Sequence, residues 1–299
     1  MTSKSPVATN HSQTVEIKGR SLWQDAWARL LRNKAALTAM VLLLIISVLV
    51  IAAPWLSPFE FDAIDWELIS TPPSLENGHI FGTDSVGRDL FVRTLYGGRM
   101  SLMVGIIATL VSLVIGITWG ATAGYMGGRV DGIMMRIVDI LYAMPFMFFV
   151  ILLMVFFGRN IYLIFIAIGA INWLDMARIV RGQTLTLKGR EYVEAAMACG
   201  VSTPRIILRH IVPNLLGIVV VYVTLTIPQV ILVESFLSFL GLGVQEPDTS
   251  WGALVNEGAQ DMETAPWALL FPAGFLATTL FCFNFIGDGL RDALDPKDR

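Results

Sequence analysis

Six stretches of this chain contain no Asp, Glu, Lys, Arg or His: residues 35–59, 100–128, 140–158, 160–174, 211–233 and 264–287. A bilayer core about 30 Å thick takes roughly 20 helical residues. The runs therefore predict an all-α polytopic membrane protein with six transmembrane helices. Composition agrees, because soluble domains are about one quarter charged and this chain is only 15% charged and 55% hydrophobic. The fourth run is short, at 15 residues, and needs its flank up to about Ala177 to cross. A re-entrant hairpin over 140–174, turning at Gly158-Arg159-Asn160, is the alternative. Two crossings are favoured, because the later charges then fall on the correct sides.

Six crossings put both termini on one side. With that side cytoplasmic, the inner segments 1–34, 125–139, 175–210 and 288–299 hold 17 of the 21 Lys and Arg residues. This matches the positive-inside rule. The outer segments, about 54–99 and 234–263, are rich in Trp, Pro and acidic residues. Trp55, Trp66, Trp251 and Trp267 are expected near the outer interface, where indole rings are favoured. The first apolar run extends 25 residues, too long for a signal-peptide core of about 7–15 residues, so a retained span is expected. Cys199 and Cys282 and the three scattered histidines suggest neither a disulfide framework nor a metal site. With a net charge of −3, nothing points to nucleic acid.

The second run carries small residues every four positions: Ala108, Ser112, Gly116, Gly120 and Gly124. Such a face lets helix backbones approach closely in a bilayer. Packing within the subunit is the first reading; a subunit interface or a pore-lining face is the alternative. Asn172, Gln229 and Asn284 are polar residues inside runs. Interhelical hydrogen bonding is expected for them, with lining of a solute path as the alternative. Residues 84–99 read either as an amphipathic helix at the outer surface or as a solvated loop.

The runs lack the ionisable groups that carry coupling protons in secondary transporters, and Glu234 lies just beyond the fifth. The string from Gly182 to Lys188 lacks the second glycine and the Ser/Thr of a phosphate loop. No nucleophile elbow or zinc-protease motif is present. The chain is therefore not expected to be an enzyme, and any driving force must enter through a partner.

The polar segment between the fourth and fifth runs offers a place for it. Residues 190–198 are helix formers, with Glu191 and Glu194 in the first turns, where carboxylates suit the helix dipole. Gly200 fits a left-handed cap. Ser202 or Thr203 then caps a second helix over about 205–212, with Pro204 in its first turn. Pro213 is expected to bend or end it. The prediction is a helix projecting from the membrane, a sharp corner, and a helix lying near the surface. Small Ala195 and Ala196 suit docking into a partner's groove; the alternative is an amphipathic helix resting on lipid headgroups through Arg178, Arg181, Lys188 and Arg190.

Glu194-Ala195-Ala196, then Gly200, then Pro213 resembles the EAA signature of ABC-importer membrane subunits, with His210 and Val212 replacing the usual isoleucine and leucine before the proline. The stretches 81–89, 98–102, 239–252 and 285–296 look like the dipeptide and oligopeptide permease group. The resemblance covers about residues 20–299 and implies a type I ABC-importer (MetI-like) permease fold in a bacterial inner membrane. By that resemblance, a cytoplasmic N-terminal segment 1–34 with disordered first residues precedes the first span and outer loop, 35–99. A core of five spans follows over 100–287, containing a coupling loop 178–213 and an outer loop 234–263, and then a cytoplasmic tail 288–299. The resemblance further implies a homologous B-type permease subunit sharing the path, two cytoplasmic ATPase subunits holding ATP and Mg, and a periplasmic peptide-binding protein. It implies no cofactor on this chain. Glu191, Glu194, Ala195, Ala196, Gly200, Val201, Ser202 and Pro213 would form the ATPase contact.

Overall fold

In the computed structural model, residues 22–157 and 161–294 are described. The expected disordered first residues, the turn at 158–160 and the end of the tail lie outside them. Short α1 (Leu22–Arg32) leads into α2 (Lys34–Leu56), which starts where Asn33 Oδ1 accepts from the Ala35 and Ala36 N–H groups at 3.1 and 3.2 Å. The loop 57–89 follows, and then α3 (Leu90–Met126), 37 residues and about 55 Å long at 1.5 Å per residue. Next come α4 (Gly128–Ala143), α5 (Phe146–Phe157), α6 (Ile161–Lys188) and the short α7 (Glu191–Ala198). The chain then runs through α8 (Thr203–Ile206), a π-helical segment (Ile207–Ile211) and α9 (Val212–Phe239), and ends with α10 (Trp251–Gln260) and α11 (Pro266–Leu294).

Among the described residues, four helical runs are long and apolar enough to cross a membrane: Lys34–Leu56, Leu90–Met126, Thr203–Phe239 and Pro266–Leu294. The third apolar run is not one helix. It divides at Met144-Pro145, because proline holds the residue before it extended, with Met144 at φ −76°, ψ 135°. The fourth run belongs to a helix that continues through Asp175, Arg178 and Arg181 to Lys188. Residues 84–99 form neither a separate surface helix nor a plain loop. Asp89 N-caps α3, its Oδ1 accepting from Val92 N–H at 2.8 Å, and the second span simply begins there.

α3 and α6 form the most extensive helix pair, and the small-residue stripe explains it. A Cβ on Gly116 would sit 2.5 Å from Met176 Cβ, one on Gly124 would sit 2.8 Å from Thr184 Cβ, and one on Gly120 would press on the Ala177 carbonyl oxygen. The stripe thus faces a helix of the same chain. α4 is tied to α6 by a two-pronged pair, Arg181 Nε and Nη2 donating to the Asp131 oxygens at 2.5 and 2.6 Å. The Arg181 guanidinium holds the Asp131 carboxyl below the usual carboxylate range. Arg178 adds a second tie to Asp139 at 2.9 Å, its guanidinium lying over the Tyr142 ring. Asp131→Ala is expected to lower stability by about 1–2 kcal/mol, the scale for a charge-assisted pair at a partly exposed site. Thermal unfolding in detergent, with trypsin cleavage at Arg129 and Arg136 as a local probe, measures it.

Candidate functional site

The segment between α6 and α9 folds as a helix, a corner and a second helix. Arg190 is the backbone N-cap of α7. At the other end Gly200 adopts φ +74°, donating to the Met197 carbonyl at 3.0 Å, while Val201 N–H donates to the Ala196 carbonyl at 3.1 Å. These two bonds form a Schellman cap, which needs the left-handed residue glycine supplies most readily. Ser202 caps α8 through its backbone alone, and Pro204 sits in the first turn. The corner therefore forms with His210 and Val212 in place.

The second helix departs from expectation. It neither ends at Pro213 nor forms a separate surface element, but continues into α9. The π-helical turn is the physical reason. Val212 N–H reaches back to the Ile207 carbonyl, so the backbone is widened just ahead of a residue that has no N–H to donate.

α7 does not project freely. Val193 and Ala196 are buried in a cluster with Ala121 and Tyr125 of α3, Met176 and Val180 of α6, and Ile206, Ile211 and Leu215 of the second helix. Ala196 therefore faces the chain's own core, and Val201 packs partly against the same cluster. The opposite face is open: Glu191, Tyr192, Glu194, Ala195 and Met197 are exposed, with Ser202 and Pro213 exposed beyond the corner. Tyr192 and Met197 were missed by motif reasoning. For Tyr192 the signal is local: on a helix whose buried positions are 193 and 196, residues 192 and 195 share the outward side; Met197, four residues after buried Val193, carries no such signal.

A second arrangement lies at the opposite end of the helices. Arg88 Nε donates to Asp84 Oδ2 at 2.7 Å and its Nη1 to Glu246 Oε1 at 2.8 Å. Arg93, fully buried, donates from Nη2 to Glu257 Oε2 at 3.1 Å. Burial pushes the Glu257 carboxyl up despite the nearby Arg93 and Arg88 charges, while the Arg88 contact holds Glu246 down. His79 Nδ1 lies 2.7 Å from Asp89 Oδ2, both buried. This network staples the loop before α3, and the start of α3, to the segment between α9 and α11. Trp251 is part of the same region. It is completely buried, donating from Nε1 to the Thr94 carbonyl at 2.9 Å, so it is a core residue rather than an interfacial one. Trp55 and Trp66 are exposed.

Glu234 also needs correction. α9 extends to Phe239, so this carboxyl lies inside a long apolar helix and is fully buried. Ser238 Oγ donates to it at 2.7 Å and Ser101 Oγ at 3.1 Å. Ser101 Oγ in turn accepts from Trp251 N–H at 3.2 Å, so the carboxyl joins α3, α9 and α10. Of the polar path candidates, Asn172 and Asn284 donate to carbonyls of their own helices, Ile168 and Leu280, each at 2.9 Å. These bonds are intrahelical, not interhelical. Gln229 and Asn284 are exposed on α9 and α11, and Asn172 is half-buried.

Residues 116–299 match the family model of the binding-protein-dependent transport system inner membrane component. The chain belongs to that family. Residues 21–73 also match the N-terminal transmembrane domain of oligopeptide transport permease C. As a family member, the chain is an inner-membrane component of a binding-protein-dependent transport system. Among relatives, the oligopeptide transport system permease protein OppC of Escherichia coli K12 is 62% identical over 97% of this chain and 96% of its own length. The OppC protein of Bacillus subtilis is 46% identical, over 98% and 96%. The glutathione transport system permease protein GsiD of Escherichia coli O6:K15:H31 is 40% identical, over 93% and 91%. The relatives are transport components rather than catalysts.

Proposed function

We propose that this permease subunit, with a homologous B-type subunit, forms the translocation path for oligopeptides delivered by a periplasmic binding protein. In this reading α5 and α6 supply the crossings beyond the four long apolar runs, both termini are cytoplasmic, and the fold is that of a type I importer. The segment division is that of the resemblance: 1–34, 35–99, 100–287 and 288–299. Two ATPase subunits hold ATP and Mg, and this chain binds neither. Gln229 and Asn284, exposed here, face the path together with Asn172 once the second permease subunit is in place.

The observation that carries the reading is the two-sidedness of α7. Its outer face presents Glu191, Tyr192, Glu194, Ala195 and Met197 to a partner. Its inner face packs on α3, α6 and the second helix together. Close packing resists local deformation, so movement of α7 by closing ATPases is passed to the glycine-locked α3–α6 pair and, through the unbroken run 203–239, to α9. Nucleotide then biases two arrangements of the spans from a distance.

Cys199 gives a direct test. It is exposed beside Gly200, whereas Cys282 is buried in α11. A maleimide should label Cys199 in the isolated subunit and fail to label it in the assembled transporter. Ala195→Glu, on the outer face, should weaken ATPase association by tenfold or more, about 1.4 kcal/mol, without loss of membrane insertion. Equal labelling in both states, with normal association of the Ala195→Glu variant, would refute the docking role. Uptake competition among oligopeptides, dipeptides, glutathione and nickel assigns the solute.

A further inference from the structure

Glu234 is a fully buried carboxyl on α9. Among the described residues no ion pair reaches it. Its partners are hydroxyls, and two of them lead back to one place. Ser101 Oγ on α3 accepts from the Trp251 N–H at 3.2 Å and donates to Glu234 Oε2 at 3.1 Å. Ser250 Oγ accepts from the Ala253 N–H at 3.2 Å and donates to Ser238 Oγ at 3.2 Å. Ser238 Oγ in turn donates to Glu234 Oε1 at 2.7 Å. Trp251 and Ala253 are the first and third residues of α10. Their N–H groups belong to the four that a helix start leaves unpaired, and they carry the positive end of its dipole. Two hydroxyl relays therefore run from the N-terminus of α10 to the two oxygens of one carboxyl. All three relay serines are buried.

We propose that Glu234 is a positioning residue, held as a carboxylate, that locks α10 to α9 so that the two move as one body. The hydrogen-bond directions support the charge. Each relay oxygen accepts from the α10 side, which leaves its hydrogen for the carboxyl. A protonated carboxyl would need an acceptor of its own, and the remaining hydroxyl, Ser235 Oγ, stands at 3.5 Å, too far for a short bond. Donors aimed at a carboxylate favour its charged form, and the helix start supplies the opposite partial charge that a buried anion needs. The backbone fit supports the lock. A Cβ on Gly252 would press on the Ser235 backbone, and one on Gly243 would press on Ser238. The segment after α9 thus folds directly back over the turn that carries Glu234. α9 is continuous with the helix beside α7, while α10 carries Glu257, which Arg93 holds. Movement of α7 then reaches the charge network at the far end of the helices through Glu234. This last step rests on the coupling reading proposed above; the lock itself does not.

The test uses the complete transporter in nanodiscs, in a Cys199→Ser background. Spin labels are placed through Leu232→Cys on α9 and Gln260→Cys on α10, both exposed positions. With Glu234 present, the distance between the labels should be narrowly distributed and the same with and without ATP. Glu234→Gln keeps the volume and removes the charge. It should broaden the distribution, make it respond to ATP, and lower uptake per ATP hydrolysed about tenfold, the factor for losing one hydrogen bond to a charged group. Ser238→Ala and Ser101→Ala each remove one relay and should fall between the two. Glu234→Asp, which keeps the charge, should retain more coupling than Glu234→Gln. ATPase co-purification should be unchanged in each variant, which separates this role from the docking role of α7. The infrared difference between native protein and Glu234→Gln should contain carboxylate bands and no carbonyl band of a protonated carboxyl. Such a carbonyl band, lost in Glu234→Gln, would overturn the carboxylate. A narrow distance indifferent to ATP in Glu234→Gln and in both serine variants would overturn the lock. Distances that loosen as expected while uptake stays coupled to ATP would support the lock and overturn the transmission through it.

Discussion

Gly120→Leu is expected to prevent α3 and α6 from seating and to remove most folded protein from the membrane. Gly120 lies on the face of α3 packed against α6, and even a single Cβ would press on the Ala177 carbonyl oxygen and sit 2.9 Å from Val180 Cβ. The obstructing atom is backbone inside a helix, so no rotamer change relieves it. Overpacking a well-filled core costs typically 1–3 kcal/mol and more when backbone must move. Marginally stable domains do not absorb several such losses. Gly116→Leu should behave similarly, since Met176 Cβ lies 2.5 Å from its added carbon, and the double substitution should leave no folded protein. Gly132→Ala is the control. A Cβ added there meets nothing within 4 Å beyond its own helix turn, so the substitution should be neutral or stabilising by up to about 1 kcal/mol through helix propensity. Size-exclusion profiles and thermal unfolding in detergent read all four variants. A Gly120→Leu protein as stable as the Gly132→Ala control would mean the helices separate at no cost.

That stripe was legible because its information is local. Residues four apart on one helix share a face, and five small ones in register admit few readings. The corner at Gly200 was legible for the same reason, as were the four runs that form long apolar helices. What failed had other physical origins. Run boundaries were drawn at charges, and a charge is not a helix terminus: α9 passes Glu234 by five residues because three serine hydroxyls surround the carboxyl. Proline misled twice, in opposite directions. Pro145 splits a run that was read as one span, its predecessor held extended. Pro213 was expected to bend or end a helix that a π turn instead carries on into α9. The long apolar helices are therefore not free of ionisable groups, since the Glu234 carboxyl is buried within α9. The charge network around Arg88 and Arg93 was invisible in the sequence. Arg93 and Glu257 are separated by 164 positions, and no pattern within a window relates them. Trp251 was misplaced for a similar cause: its burial depends on α10 lying against α3, which only tertiary packing reveals.

Arg93→Met is expected to destabilise the end of the protein where α3 begins by about 3–5 kcal/mol, the cost of removing one partner from a buried ion pair. The guanidinium is fully buried, 3.1 Å from Glu257 Oε2 and 3.6 Å from Asp84 Oδ2. Without it, Arg88 alone faces Asp84, Glu246 and Glu257. Glu246 is well exposed and water screens it, so the loss falls on Asp84 and Glu257. The Glu257 carboxyl is already raised by burial, with Arg93 opposing that shift. Deleting Arg93 raises it further. A carboxyl with a raised folded value binds more protons folded than unfolded, so its contribution to stability falls as pH rises from the unfolded value through the folded one. The Arg93→Met deficit should therefore be larger at pH 8 than at pH 5. Glu257→Gln in the same background should recover part of the loss and flatten its pH dependence, because no buried charge is then left unpaired. Arg93→Lys should recover less than the native residue, since an ammonium cannot reach both carboxylates as a planar guanidinium does. A double-mutant cycle at the two pH values measures the coupling. A deficit equal at both pH values, and unrelieved by Glu257→Gln, would assign Arg93 to packing alone and leave the two segments joined by Arg88 and Trp251 instead.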